Sequence, residues 1–290
     1  MGADFAGFLR TAGGVREALA RPEPFVYTVF MRIGISTAAY YGRLETEDAA
    51  QRVASLGVPC CEVFLETYSE YSEGFGALVR KRLGAVEAVS IHAKTQHFET
   101  DIMGQSARQR ADAFEMLERF YAAGKALGAR LYVYHGPANM RGKAPRFSSW
   151  QEGIARAMDL GRAYGIELCF ETVSWCWLNS PERVAEFLAL WPDMRFVLDV
   201  KQVLELGQEP TLYVDTMGDR LSHVHILDYD ANGRHVLPGR GVHDFRDLAR
   251  ALRGAGYRGD IILEPYAHVV TSDQALTDSI HWLRDTFGAR

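Results

Sequence analysis

Apolar residues along this chain gather into short continuous runs. Between the runs, apolar positions recur every three or four residues. Four of the runs, 166–171, 195–199, 221–228 and 260–264, stop at a carboxylate: Glu171, Asp199, Asp228 and Glu264. A short apolar run bounded by turn residues reads as a buried strand, and a three-to-four repeat as an amphipathic helix. From Met31 onward the pattern predicts strands at 33–36, 60–65, 86–91 and 131–134, then in the four runs above. The predicted helices lie at 46–56, 75–83, 106–127 and 150–164. Another begins at Ser180, two short pieces share 201–217 with a break at Glu209-Pro210, one begins at Asp244, and the last ends at Phe287.

Local signals support these boundaries. Phe114, Leu117 and Tyr121 share one face of the longest helix, and Gly128 stops it. Ser180 followed by Pro181 is a helix start, with a capping hydroxyl and then proline at the first helical position. Thr46 is expected to cap its own helix. Asn232-Gly233 is expected to turn a small hairpin. Strands that are apolar throughout, each followed by a helix, imply a parallel sheet covered by helices. Eight such units favour closure into a (β/α)8 TIM barrel, which commonly needs about 250 residues. Residues 1–30 precede this alternation and are expected to be an extension upstream of a single barrel domain, 31–290. Their deletion should leave folding and activity intact, and a clear loss of soluble protein would reject that expectation.

Composition narrows the class. Of 290 residues, 48% are apolar, enough for a substantial core, and the formal net charge of −5 argues against a nonspecific nucleic-acid binder. No run is long enough to span a bilayer. The cysteines Cys60, Cys61, Cys169 and Cys176 form no C-x-x-C pair. Cys60 and Cys169 lie inside predicted strands, which suits reduced thiols and a cytoplasmic location. Neither a G-x-G-x-x-G nor a G-x-x-x-x-G-K phosphate fingerprint is present.

In such barrels the chemistry sits at the C-terminal ends of the strands. Those ends carry His92, His135, Glu171, Asp199, His225 and Glu264. A lone histidine or glutamate at a strand end is usually structural or solvated. Acidic and imidazole groups gathered from several strands would repel or desolvate badly without a cation. Glu171, Asp199, His225 and Glu264 are therefore the expected metal ligands, and a set of carboxylates plus imidazole without thiolate suits one Mn²⁺, Mg²⁺, Co²⁺ or Zn²⁺. His223 lies two residues before His225 on the same side of its strand and is expected to pack one layer deeper.

The motifs F-E171-T, L-D199-V, H-V-H225-I-L-D, G239-R-G241-x-x-D244-F and L-E264-P resemble, in their order and spacing, the sugar phosphate isomerase/epimerase superfamily. These are the xylose isomerase-like TIM barrels, a group that also contains endonuclease IV-type repair enzymes. The resemblance runs from about Met31 to the C-terminus. It implies that Glu171, Asp199, His225 and Glu264 match the family's metal ligands, and that Glu171 and Glu264 match its proton-shuttling pair. It further implies that His92 and His135 contact substrate or, in the repair enzymes, a further metal, and that His235 matches another repair-enzyme ligand. The family's D-x-x-H appears here as Asp199-Val-Lys-Gln202. Gln202 can hydrogen-bond a hydroxyl but is a poor metal ligand and no base. Gly233 stands where the repair enzymes carry an aspartate ligand.

Independently of the resemblance, isomerising or epimerising a ketose requires removing a proton from a carbon beside a carbonyl. A divalent ion on the carbonyl and hydroxyl oxygens stabilises the enediolate, one carboxylate takes the proton, and a second group returns it. Glu171 and Glu264 are the candidates for these catalytic roles. The same equipment would serve a dehydratase. Arg234 and Arg240, on the loop expected to overhang the site, are candidates for contact with substrate. Trp175 is expected either to wall a sugar face or to pack on a neighbouring subunit, so a homo-oligomer stays open. For the basic cluster Arg141, Lys143 and Arg146 a solvated loop is the favoured reading. The leading expectation is a metal-dependent isomerase, epimerase or dehydratase acting on a sugar, sugar phosphate or cyclitol, with no nucleic-acid or membrane partner. The alternatives are an endonuclease IV-like phosphodiesterase and a non-catalytic sugar-binding barrel.

Overall fold

The structure is a computed structural model that describes residues 31–94, 98–138 and 147–289. Residues 1–30 and the cluster Arg141, Lys143 and Arg146 lie outside the described residues. Eight strands close into a parallel barrel: β1 (Ile33–Ser36), β2 (Cys60–Leu65), β3 (Glu87–Ala93), β4 (Leu131–Tyr134), β5 (Glu167–Glu171), β6 (Arg195–Asp199), β7 (Leu221–Ile226) and β10 (Asp260–Leu263). Each strand pairs with the next in sequence. The ring shuts where Ile33 of β1 pairs with Ile261 of β10. Two short strands, β8 (Asp228–Tyr229) and β9 (His235–Val236), form an antiparallel ribbon after β7, so the turn expected at Asn232-Gly233 is present.

Nine described helices surround the barrel: α1 (Thr46–Ala54), α2 (Glu73–Leu83), α3 (Ala107–Leu127), α4 (Phe147–Tyr164), α5 (Pro181–Leu190), α6 (Val200–Glu205), α7 (Pro210–Met217), α8 (Arg246–Gly254) and α9 (Asp273–Phe287). The start of α5 follows its sequence signal, with the Ser180 hydroxyl accepting from the Arg183 N–H. Helix α3 ends at Gly128, whose φ of 83° only glycine adopts without strain. At α1 the cap differs from expectation. Glu45 is the N-cap and Thr46 the first helical residue, because the Thr46 hydroxyl donates instead to buried Glu70, 3.1 Å away.

Strand alternation sorts core from site. On β5, Phe170 points outward and packs on Tyr134 and on Phe187 of α5, while Cys169 belongs to a separate apolar cluster with Val133 and Val197. Each fully buried aromatic ring of the outer layer contributes about 2–3 kcal/mol of hydrophobic stabilisation. The inward-facing positions run from small apolar residues low in the barrel to ionisable ones at its C-terminal mouth.

Candidate metal and substrate site

The strand ends converge. Glu171 and Asp199 are the last residues of β5 and β6, His225 is the penultimate residue of β7, and Glu264 directly follows β10. One potential ligand atom from each of these four residues lies within 4.8 Å of those from the others. His225 stands at the centre. Its Nδ1 is 2.8 Å from Glu171 Oε1 and 3.3 Å from Glu264 Oε2. Its Nε2 is 3.0 Å from Glu62 Oε2.

Glu62 escaped the sequence reading, and it explains the orientation of the imidazole. It lies in mid-β2, fully buried, where Ser90 Oγ donates to it over 2.9 Å. A carboxylate behind one histidine nitrogen fixes the tautomer that presents the other nitrogen to a cation. Number, chemistry and orientation of the donors thus fit a divalent ion. His223 sits one layer deeper, as its position on the strand predicts. Its Nε2 is 3.2 Å from Ser90 Oγ and 3.6 Å from Glu62 Oε2.

Burial and charge work against each other throughout. Burial disfavours the charged form of Glu62, but His225 and His223 hold its carboxyl well below the usual range. Glu171 is likewise held down against burial, by His225 and His92. Burial opposes a charge on His225, yet Glu264, Glu62 and Glu171 raise it. Asp199 is pushed up to about 6 by burial, with Lys201 opposing and Glu171 and Glu264 reinforcing.

Lys201 is the second residue that the sequence did not reveal. Its side chain is buried, and its ammonium lies 2.5 Å from both Asp199 Oδ2 and Glu264 Oε2. Burial lowers its affinity for a proton, but Asp199 and Glu264 more than restore it, so it stays charged. Burial also works against ionisation of Glu264, where His225 and Lys201 prevail and hold the carboxyl down to about 2.

Above these groups opens a cavity of about 470 Å³, within the range of small-molecule sites. Its walls include Phe64, Trp175 and Tyr266, and its floor includes His92, His135, Glu171, Asp199 and Glu264. Trp175 is 37% exposed and leans on His135, with ring centroids 5.6 Å apart. Gln202 also lines the cavity. Its Oε1 accepts from the Ser174 hydroxyl at 2.7 Å and the Ser174 N–H at 3.1 Å.

His92 and His135 differ in their surroundings. His92 is buried with neither ring nitrogen hydrogen-bonded, and its Nε2 is 3.6 Å from Glu171 Oε2. His135 Nδ1 is 2.7 Å from Glu99 Oε2, and Glu99 also accepts from Tyr132. Burial opposes the charge on His135, but Glu99 raises its pKa to about 9.

Arg234, His235 and Arg240 line a neighbouring depression instead of this cavity. Arg234 is held by Asp230 at 2.7 Å, and His235 Nε2 is 3.0 Å from the Tyr229 hydroxyl. The His235 ring still packs edge-on against Tyr266, which itself lines the cavity. Asp228, the fourth carboxylate-terminated run, stays out of the cluster. It accepts from the Tyr229 N–H and pairs with His243. A side chain at Gly241 would collide with that carboxylate, which is why the G239-R-G241 turn closes on glycine.

Residues 50–286 match the family model for the xylose isomerase-like TIM barrel. The chain belongs to that family. Within it, a fructoselysine 3-epimerase of Escherichia coli O157:H7 is 23% identical over 81% of this chain and 90% of its own length. An uncharacterised protein of Mycobacterium leprae is 25% identical over 88% and 97%. Among solved structures, a D-psicose 3-epimerase crystallised in the presence of D-fructose superposes with a TM-score of 0.73 at 19% identity, over 89% of this chain and all of that one. No helix among the described residues is long and apolar enough to cross a membrane.

Proposed function

We propose that this chain is a divalent-metal-dependent isomerase or epimerase acting on a sugar or sugar derivative, by proton transfer at a carbon next to a carbonyl. The observation that carries this reading is the placement of two carboxylates, Glu171 and Glu264, around one imidazole nitrogen at the floor of an aromatic-walled cavity. Glu171, Asp199, His225 and Glu264 would hold the ion, and Glu62 would orient His225 towards it. A bound divalent ion supplies Lewis acidity to the oxygens of a hydroxy ketone. The family relatives named above include a fructoselysine 3-epimerase, which supports a ketose-like substrate.

Within this reading the protein groups divide the work. Glu171 and Glu264 take and return the proton, each kept ionised by the cations around it. Protonated His135 donates to a substrate oxygen, and the Trp175 face covers the sugar and excludes water. Gln202 supplies a neutral amide to a hydroxyl, consistent with its lack of basicity.

The test is a panel of ketoses and keto-sugar derivatives incubated with the protein and Mn²⁺ in D₂O. One solvent deuteron at the carbon beside the carbonyl, appearing with the epimer or isomer, is expected. A product lacking water would instead make the chain a dehydratase, and cleavage of abasic-site DNA a phosphodiesterase. Sugar turnover without deuterium entry would reject the proton-transfer mechanism.

A further inference from the structure

The family pattern places a metal among these carboxylates, yet this chain has put a cation of its own there. Lys201 lies two residues after Asp199, on the first turn of α6, and Asp199 caps that turn by accepting from the Gln202 N–H over 3.2 Å. The backbone carbonyl of Lys201 accepts from the Tyr229 hydroxyl at 3.0 Å, which ties the root of the side chain in place. Its ammonium bridges Asp199 and Glu264, two of the four prospective ligands, and also lies 5.6 Å from the Tyr266 ring centroid. The side chain is only 5% exposed, so water does little to loosen the contact.

We propose that Lys201 is a tethered counter-cation that competes with the divalent ion for Asp199 and Glu264, lowering the metal affinity of the site and keeping the metal-free form stable. This rests on the reading of Glu171, Asp199, His225 and Glu264 as the ligand set. The physical argument is charge competition at fixed distance. A tethered ammonium faces its two carboxylates at an effective concentration of about millimolar or more, and a divalent ion must displace it. Once displaced, the ammonium remains in the same poorly screened pocket and repels the ion that replaced it. The Tyr266 ring, on the cavity side, offers the released ammonium a cation–π resting place. Without Lys201, Asp199 and Glu264 would lie close together with only His225 to offset their charges in the empty site, a costly arrangement. Lys201 removes that cost before any metal arrives.

The test is Mn²⁺ binding by calorimetry, with free Mn²⁺ followed by electron paramagnetic resonance, on the whole chain and on Lys201→Met. The variant is expected to bind at least about tenfold more tightly, because the competing charge is gone. Its chelated form should melt earlier than the parent's, and Mn²⁺ should raise its melting temperature more. Equal or weaker binding by Lys201→Met overturns the proposal while leaving the ligand set intact. Binding by neither protein overturns both. If Lys201→Met does not fold, Lys201→Gln replaces it. Lys201→Arg, which keeps the charge, gives an independent arm: it should show no gain, and a gain equal to that of the neutral variants would overturn the competition argument.

Discussion

The two ends of the barrel use charge in opposite ways. At the N-terminal end the strand starts carry Arg32, Glu87, Arg130, Glu167, Arg195 and Asp260, three cations facing three anions. Arg32 bridges Asp260 at 2.7 Å and Glu87 at 2.6 Å, Arg130 reaches Glu87 at 3.0 Å, and Arg195 reaches Glu167 at 3.3 Å. At the C-terminal end Glu62, Glu171, Asp199 and Glu264 crowd around His225, and among the described lysines and arginines only Lys201 pairs with them. The larger hollow, about 760 Å³, is at the paired end, and the smaller one is at the carboxylate-rich end. Volume alone would therefore choose the wrong end. A paired ring completes itself, whereas carboxylates in excess ask for a cation and a substrate.

The contrast breaks most sharply at Glu264. Glu264→Gln should lower deuterium exchange into substrate by about 100- to 10,000-fold, the range for a lost general acid or base, with far-UV circular dichroism unchanged. Glu171→Gln should do the same. Exchange retained in either variant would remove that carboxylate from the proton transfer and leave it only a ligand.

Next comes Glu62, which does not itself line the cavity yet holds the central imidazole. Glu62→Gln should weaken Mn²⁺ binding about 10- to 100-fold, the usual consequence of losing the partner behind a metal-bound histidine. An unchanged titration would mean that the strands alone orient His225.

Most of this architecture can be read from the sequence, because it rests on patterns with a period. The eight strands and the carboxylates at their ends are marked by where an apolar run stops, and Glu171, Asp199 and Glu264 were legible for that reason. Glu62 breaks an otherwise apolar strand, Cys-Cys-Glu-Val-Phe-Leu, and a charge in mid-strand is itself a signal of a partnered interior group. Lys201 left no such mark. It follows the strand end by two residues on a short helix, and only the closed barrel brings Glu264 to it from 63 positions away. Glu99 opens a short 3-10 helix, Glu99–Met103, and its pairing with His135 depends on how that segment folds back. The chain after β7 was misleading in the other direction. Arg234, His235 and Arg240 line their own depression, where Asp230 holds Arg234 and the Tyr229 hydroxyl meets His235.

The His135–Glu99 pair sharpens the comparison through pH. The pKa of His135 is raised to about 9 in the folded protein, against about 6.5 for an unperturbed histidine. Its contribution is therefore complete below about pH 6.5 and is lost as the pH rises through 9. Urea unfolding of the chelated protein should show a loss on the order of 2 kcal/mol from this group between those limits. In Glu99→Gln the hydrogen bond can persist but the charge cannot, so this slope should flatten. A slope that survived would place the titration elsewhere.

The smallest effect is expected at the opposite end, and it is the fairest test of the contrast. Arg32 holds Asp260, whose side chain is 10% exposed, by one bidentate contact in which Nε and Nη2 each donate to a carboxylate oxygen, and it donates to Glu87 as well. Arg32→Met keeps most of the side-chain stem but leaves Asp260 to Arg130 alone, 4.0 Å away. The guanidinium is itself about a third exposed, so solvent screens part of the loss, and about 1 kcal/mol of stability is the expected cost in urea unfolding. Exchange into substrate and Mn²⁺ affinity should stay at parental values, because charges at this end are balanced locally and the apolar layers of the barrel interior separate them from the mouth. A change in Mn²⁺ affinity with Arg32→Met would show that the two ends share one electrostatic balance. The division between a self-completing base and a cation-seeking mouth would then fail as an account of where this barrel does its chemistry.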